Sequence, residues 1–120
     1  MAYLLIVQEP RGQRATRTRA EGEDAFNKMV AFGQSLSARG LLQASNSLAS
    51  DDRGARVEKR GGKLSVHDGP FAEAKEMIGG FFLIDCKTRD EALAIAAECP
   101  AASWASIEVR ETGTCFDDLA

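Results

Sequence analysis

The segment Asp68-Gly69-Pro70-Phe71-Ala72-Glu73-Ala74-Lys75-Glu76 crowds carboxylates, an amine and an aromatic ring into one stretch. A partly buried carboxylate at the mouth of a cleft can act as a general acid or base, which makes Asp68 and Glu73 the catalytic candidates. Lys75 would hold an anionic group or an enolate. In a loop, Glu73 and Lys75 need not diverge, so both can face one ligand. Turn chemistry competes for the same residues. An Asx turn at Asp68 would let Gly69 and Pro70 set the chain's exit, and Phe71 would then anchor the loop or core rather than form a ligand platform. His67 alternates to the strand face opposite Asp68, which argues against a His–Asp dyad and for a surface or interface histidine. Glu108 shares a side with Trp104 and Ser106, where it lines a cleft or pairs across an interface. Arg11 opens an arginine series, with Arg14, Arg17 and Arg19, that either grips an anionic ligand or forms an exposed loop. The ligand-binding candidates are Lys75, Phe71, His67, Glu108 and Arg11.

The elements that position them belong to a chain of one-domain size, 120 residues with 44% hydrophobic and 28% charged side chains. We expect a single domain over 1–112 and a C-terminal tail over 113–120. A net charge of -3 offers no basic field, so no nucleic acid is expected as partner. The apolar run Ala2 to Val7 is too short to span a bilayer, so no membrane association is expected. It also lacks the basic flank of a secretory signal. With Cys86, Cys99 and Cys115 odd in number and without CxxC spacing, this leads to the expectation of a cytoplasmic protein with reduced thiols. One histidine excludes a multi-histidine metal site within a chain, and the sequence carries no cofactor motif. Neither a metal nor a cofactor is expected.

Ala2 to Val7 reads as a buried strand, and Gln8 to Glu21 as an exposed loop. Phe26, Met29, Val30 and Leu36, with Gly33, fall at helical spacing between Glu23 and Arg39. Leu41 to Leu48 forms a second strand. Ala55 to Arg60 and Lys63 to Asp68, joined by Gly61-Gly62, form a hairpin that sets Val57 opposite Val66 and Glu58 opposite Ser65. Gly79 to Cys86 reads as a central strand. Thr88 to Glu91 spells a capping box for a helix with Leu93, Ala96 and Ala97 on its apolar stripe. Trp104 to Arg110 is the last strand. Two β-α-β halves around a hairpin imply an α+β fold: a ferredoxin-like antiparallel sheet, two helices on one face and an inserted β-hairpin. The second sheet face needs a cover, which predicts a homodimer.

Asp68 to Glu76, followed by Gly79-Gly80-Phe81, closely resembles the DGPF signature of the YCII-related family. The likeness extends to the apolar first strand, the Asp-Glu-Ala-Leu start of the second helix and the last strand Ile107-Glu108-Val109-Arg110. The resemblance implies a dimeric α/β barrel, with a site in the cleft between sheet and helices. It also implies kinship with small isomerases, monooxygenases and dehalogenating enzymes, and an association with extracytoplasmic-function sigma factors by genomic context. Shorter members carry a histidine in the first helix, where this chain reads Phe26-Asn27-Lys28-Met29.

Three functions fit these residues. The protein binds or converts a small organic acid or carbonyl compound by acid/base chemistry, as a cofactor-independent lyase or isomerase would. Alternatively it is a non-catalytic ligand-binding or regulatory dimer tied to a sigma-factor system, or a purely structural dimerisation domain.

Overall fold

The computed structural model describes residues 1–119. β1 (Ala2–Pro10) leads through a 3-10 turn at Arg14–Thr16 into α1 (Arg19–Ala38) and β2 (Leu42–Ser47). A second 3-10 turn, Asp51–Arg53, precedes the hairpin β3 (Ala55–Arg60) and β4 (Lys63–Asp68). β5 (Glu76–Asp85), α2 (Arg89–Glu98), a 3-10 turn at Pro100–Ser103 and β6 (Ser106–Glu111) complete the chain.

Local chemistry accounts for the element ends. The Thr18 hydroxyl accepts the Glu21 N–H at 3.2 Å and the Glu21 carboxylate accepts the Thr18 N–H at 2.9 Å. This capping box starts α1 ahead of its apolar pattern. Ion pairs one turn apart, Arg19–Glu23 and Asp24–Lys28, then support the polar first turns. The expected box at α2 forms by half: Thr88 caps the Glu91 N–H, but the Glu91 carboxylate takes the N–H of Lys87. Gly61 and Gly62, at φ of 56° and 78°, supply the turn that a right-handed hairpin requires. Val57 faces Val66 and Glu58 faces Ser65, as the sequence spacing requires.

The main sheet has the order β2-β5-β1-β6, with every neighbour antiparallel. Tyr3, Leu5, Val7, Phe82 and Ile84 point to one face, where α1 adds Phe32 and Leu36 and α2 adds Ala92, Ile95 and Ala96. Phe32 meets Phe82 edge to face at 5.1 Å. The helical stripes differ from the sequence expectation. Phe26 and Val30 stay 53% and 41% exposed, and α2 buries Ala92 and Ile95 in place of Leu93 and Ala97. Cys86 and Cys99 are buried, and burial raises both thiols above their ordinary pKa.

The dimeric barrel expected from the resemblance is corrected. β2 and β6 remain free edges, and the hairpin forms its own two-stranded sheet instead of extending either one. Closing a sheet around a filled interior takes about eight strands, twice what one chain supplies here. The fold is α+β with two helices and antiparallel sheets, and the sheet is open. The homodimer was expected as the means of covering the second face. In the single chain that face carries Leu4, Phe81 and Leu83, each half-buried. Among the described residues, no helix is long and apolar enough to cross a membrane.

Candidate functional site: a cleft beside the first helix

A cleft of about 1330 Å³ opens between α1 and the β2-β5-β1 side of the sheet. Its apolar wall is made by Phe26, Met29, Val30 and Gly33 of α1, with Val7 and Phe82 opposite. The cause lies in β2, spelled Leu42-Gln43-Ala44-Ser45-Asn46-Ser47, which has no large apolar residue after Leu42. Phe26 and Val30 of α1 therefore find no large side chain on β2 to pack on, and they line a cleft instead of a core.

Glu9 and Arg14 close one wall of the cleft. Glu9 is only 6% exposed. Arg14 donates Nη2 to its Oε1 at 2.6 Å, and Nε to Oε2 at 3.0 Å and Oε1 at 3.2 Å. Nη2 also donates to the Leu48 carbonyl at 2.9 Å, which ties the 3-10 turn to the end of β2. The register of β1 on β5 shifts between Val7 and Gln8, so that Val7 faces Gly80 and Gln8 faces Ile78. Gly79 is the extra residue of this bulge. A Cβ there would stand 1.9 Å from Glu9 Oε1 and 3.3 Å from Arg14 Nη2. The ion pair therefore occupies the notch that a missing side chain leaves. Gly80 serves a backbone: its Cβ would stand 2.9 Å from the Asn46 carbonyl oxygen on β2.

Arg17 also faces the cleft, with its guanidinium 5.5 Å from the centre of the Trp104 ring. Gln13 fixes the same corner by donating to the Trp104 carbonyl at 2.7 Å.

The segment from Asp68 to Glu76 is built differently. Its fastening carboxylate is Asp51, which accepts two bonds from Arg11 at 2.9 and 2.6 Å and the Phe71 N–H at 3.3 Å. Arg11 further donates Nε to the Ala74 carbonyl and its own N–H to that of Lys75. Gly69 lies on this turn, where a Cβ would stand 1.8 Å from the Asp51 carbonyl oxygen. The Arg11 hydrogen bond holds the Asp51 carboxyl below its ordinary pKa and raises that of Arg11. Glu73 pairs with Arg56 at 2.9 Å, and Arg56 covers the Phe71 ring at 3.8 Å from its centre. The Glu73 carboxyl is lowered by its own backbone N–H and then by Arg56.

The structure thus brings Arg11, Phe71, Glu73 and the Lys75 backbone together in one loop. Asp68 and His67 stand exposed at the end of β4, opposite Ala55 and Arg56. Glu108 pairs with Arg110 and lies opposite Ile6, on the sheet face away from the helices. None of these residues lines the cleft. Of the arginine series, Arg14, Arg17 and Arg19 do. Sequence reasoning misses Glu9, because the first strand reads as ending at Val7, and misses Asp51, whose partner Arg11 lies 40 positions away. A signal for Glu9 existed: it follows Val7 by one strand period, and the paired glycines of β5 mark a bulge or a close approach.

Among the described residues no group of three or more His, Cys, Asp or Glu side chains is placed to hold a metal ion. The chain matches the YCII-related domain over residues 1–112. It is 32% identical over 112 residues to the uncharacterised protein R00369 of Rhizobium meliloti (strain 1021), an alignment that spans 92% of this chain and 90% of that one.

Proposed function

The chain belongs to the YCII-related domain family, and from that premise we propose that it takes a small organic acid or carbonyl compound into the cleft beside α1. The observation that carries this reading is the buried Glu9 carboxylate paired with a half-exposed Arg14, housed in the notch at Gly79 on the wall of an open apolar cleft. An apolar ligand body would lie on Phe26, Met29 and Val30, and the exposure of Phe26 and Val30 is one a purely structural helix has no use for. Its carboxylate or carbonyl oxygen would accept from Arg14 Nη1 and from Arg17, while Glu9 is the carboxylate placed for acid/base work. In this reading Asp68, Glu73 and Lys75 shape the loop that carries the DGPF motif, and that motif is our ground for placing the chain in the DGPF branch of the family.

The test is a thermal-shift and calorimetric screen of short aliphatic and aromatic carboxylates and the matching ketones. Wild type would be compared with Arg14→Ala and Asp68→Asn. A ligand at a hundred times its Kd stabilises by about 2.7 kcal/mol, a shift of several degrees. Wild type and Asp68→Asn should show the shift, and Arg14→Ala should lose it. Loss in Asp68→Asn with retention in Arg14→Ala would move the site to the loop and overturn this reading, as would silence from wild type. Product formed from a bound compound distinguishes an enzyme from a binding module.

A further inference from the structure

We infer that the ligand is a hydroxy acid: a short apolar chain bearing, besides its acid group, a neutral hydroxyl that donates to Glu9. This rests on the reading that the cleft takes small organic acids. The argument is a count of donors and acceptors on one wall. A carboxylate offers about four lone-pair directions. Oε1 of Glu9 receives two Arg14 contacts, but Oε2 receives only one. Arg14 supplies those bonds through Nε and Nη2, and Nη2 also serves the Leu48 carbonyl, so Nη1 is left to a ligand. The wall therefore presents an acceptor and a donor together.

A plain carboxylate uses only the donor, and it brings its own negative charge toward that of Glu9. A hydroxyl turned to Oε2 adds a charge-assisted hydrogen bond that offsets that repulsion. An ammonium in the same place would meet Arg14 and Arg17, both of which line the cleft, so the donor that fits is uncharged. The other charged residues on the lining, Arg19 and Glu23, are paired with each other at 3.0 Å. β2 and β5 contribute only uncharged residues to it. Of the two carboxylates on the lining, Glu9 is the one bound to Arg14 and so the one beside the donor that takes the acid group.

Hexanoate and its 2-, 3- and 4-hydroxy derivatives, titrated calorimetrically into wild type and Glu9→Gln, test the inference. At least one hydroxy isomer should bind wild type about tenfold more tightly than hexanoate, the worth of a hydrogen bond to a charged group. In Glu9→Gln that preference should shrink to within about threefold. Hexanoate itself should bind the variant more tightly, because Arg14 is no longer neutralised; the hydroxy preference, not this gain, reports on the hydroxyl's partner. Equal binding of hexanoate and every hydroxy isomer to wild type overturns the inference and leaves the cleft reading standing. A hydroxy preference that persists in Glu9→Gln overturns it as well. If none of the four binds, the cleft reading falls and the inference with it. Should Glu9→Gln fail to fold, Glu9→Asp, which keeps the charge but draws the carboxylate back, takes its place and should shrink the hydroxy preference likewise.

Discussion

At the scale of single residues, the cleft depends on Gly79. Alanine there would place Cβ 1.9 Å from Glu9 Oε1, so either the strand or the ion pair must shift. We expect Gly79→Ala to lose about 1–3 kcal/mol in urea unfolding, the range for disturbing hydrogen bonds to a charged group, and to lose ligand shifts with it. Gly22, in α1, has nothing within 4 Å of its would-be Cβ, and Gly22→Ala should gain up to about 1 kcal/mol from helix propensity. The two substitutions thus separate crowding from loss of glycine as such. Asp51 gives a pH signature. Its folded pKa lies below 3.8, so its stabilising contribution is complete above the unfolded value and vanishes as pH falls through the folded one. Urea midpoints between pH 2 and 7 should drop more steeply on acidification for wild type than for Asp51→Asn. The variant curve will still fall, because the Glu73 carboxyl is lowered too. Residue types were legible in the sequence but their partners were not: Arg11 and Asp51 meet across 40 positions, and no local pattern pairs them.

At the scale of elements, the legible parts were those fixed by local rules. The hairpin register follows from a two-residue glycine turn and alternation alone, and the structure reproduces it pair by pair. The helical stripes were less legible, because periodicity identifies an apolar face without saying whether anything packs on it. Phe26 and Val30 have the right spacing, yet they look into the cleft because β2 is polar. The early start of α1 was readable in Thr18-x-x-Glu21 and was passed over among the arginines. The hairpin itself is exposed at every position of both strands. An isolated pair of strands is marginal in water, so what steadies it is Arg56, which joins β3 to Glu73 and Phe71. Hydrogen exchange should therefore be fast in β3 and β4 and slow in β1 and β5. Arg56→Ala should speed hairpin exchange further while global stability falls by no more than about 1 kcal/mol, as suits an exposed pair and a cation–π contact. Equal protection in hairpin and main sheet would refute this picture.

At the scale of the whole molecule, the chain is a slab of 49 × 47 × 20 Å with a radius of gyration of 16.4 Å. A domain of this length folded into a sphere-like body would have about 13.6 Å. The excess is consistent with a projecting hairpin and an open sheet. Element order and family were legible in the sequence, the first from periodicity and the second from Asp68 to Glu76. Barrel closure was not, since it is decided at the strand edges, where side-chain alternation carries no information. The cleft was also hidden, being defined by what is missing: a side chain at Gly79 and an apolar partner on β2. The chain has one tryptophan, Trp104, and it stands on the cleft beneath Arg17. Its near-ultraviolet emission is therefore a built-in optical gauge of that corner alone. An anion drawing Arg17 off the indole would change the quantum yield without a label, and the rest of the protein would stay dark at the tryptophan excitation edge.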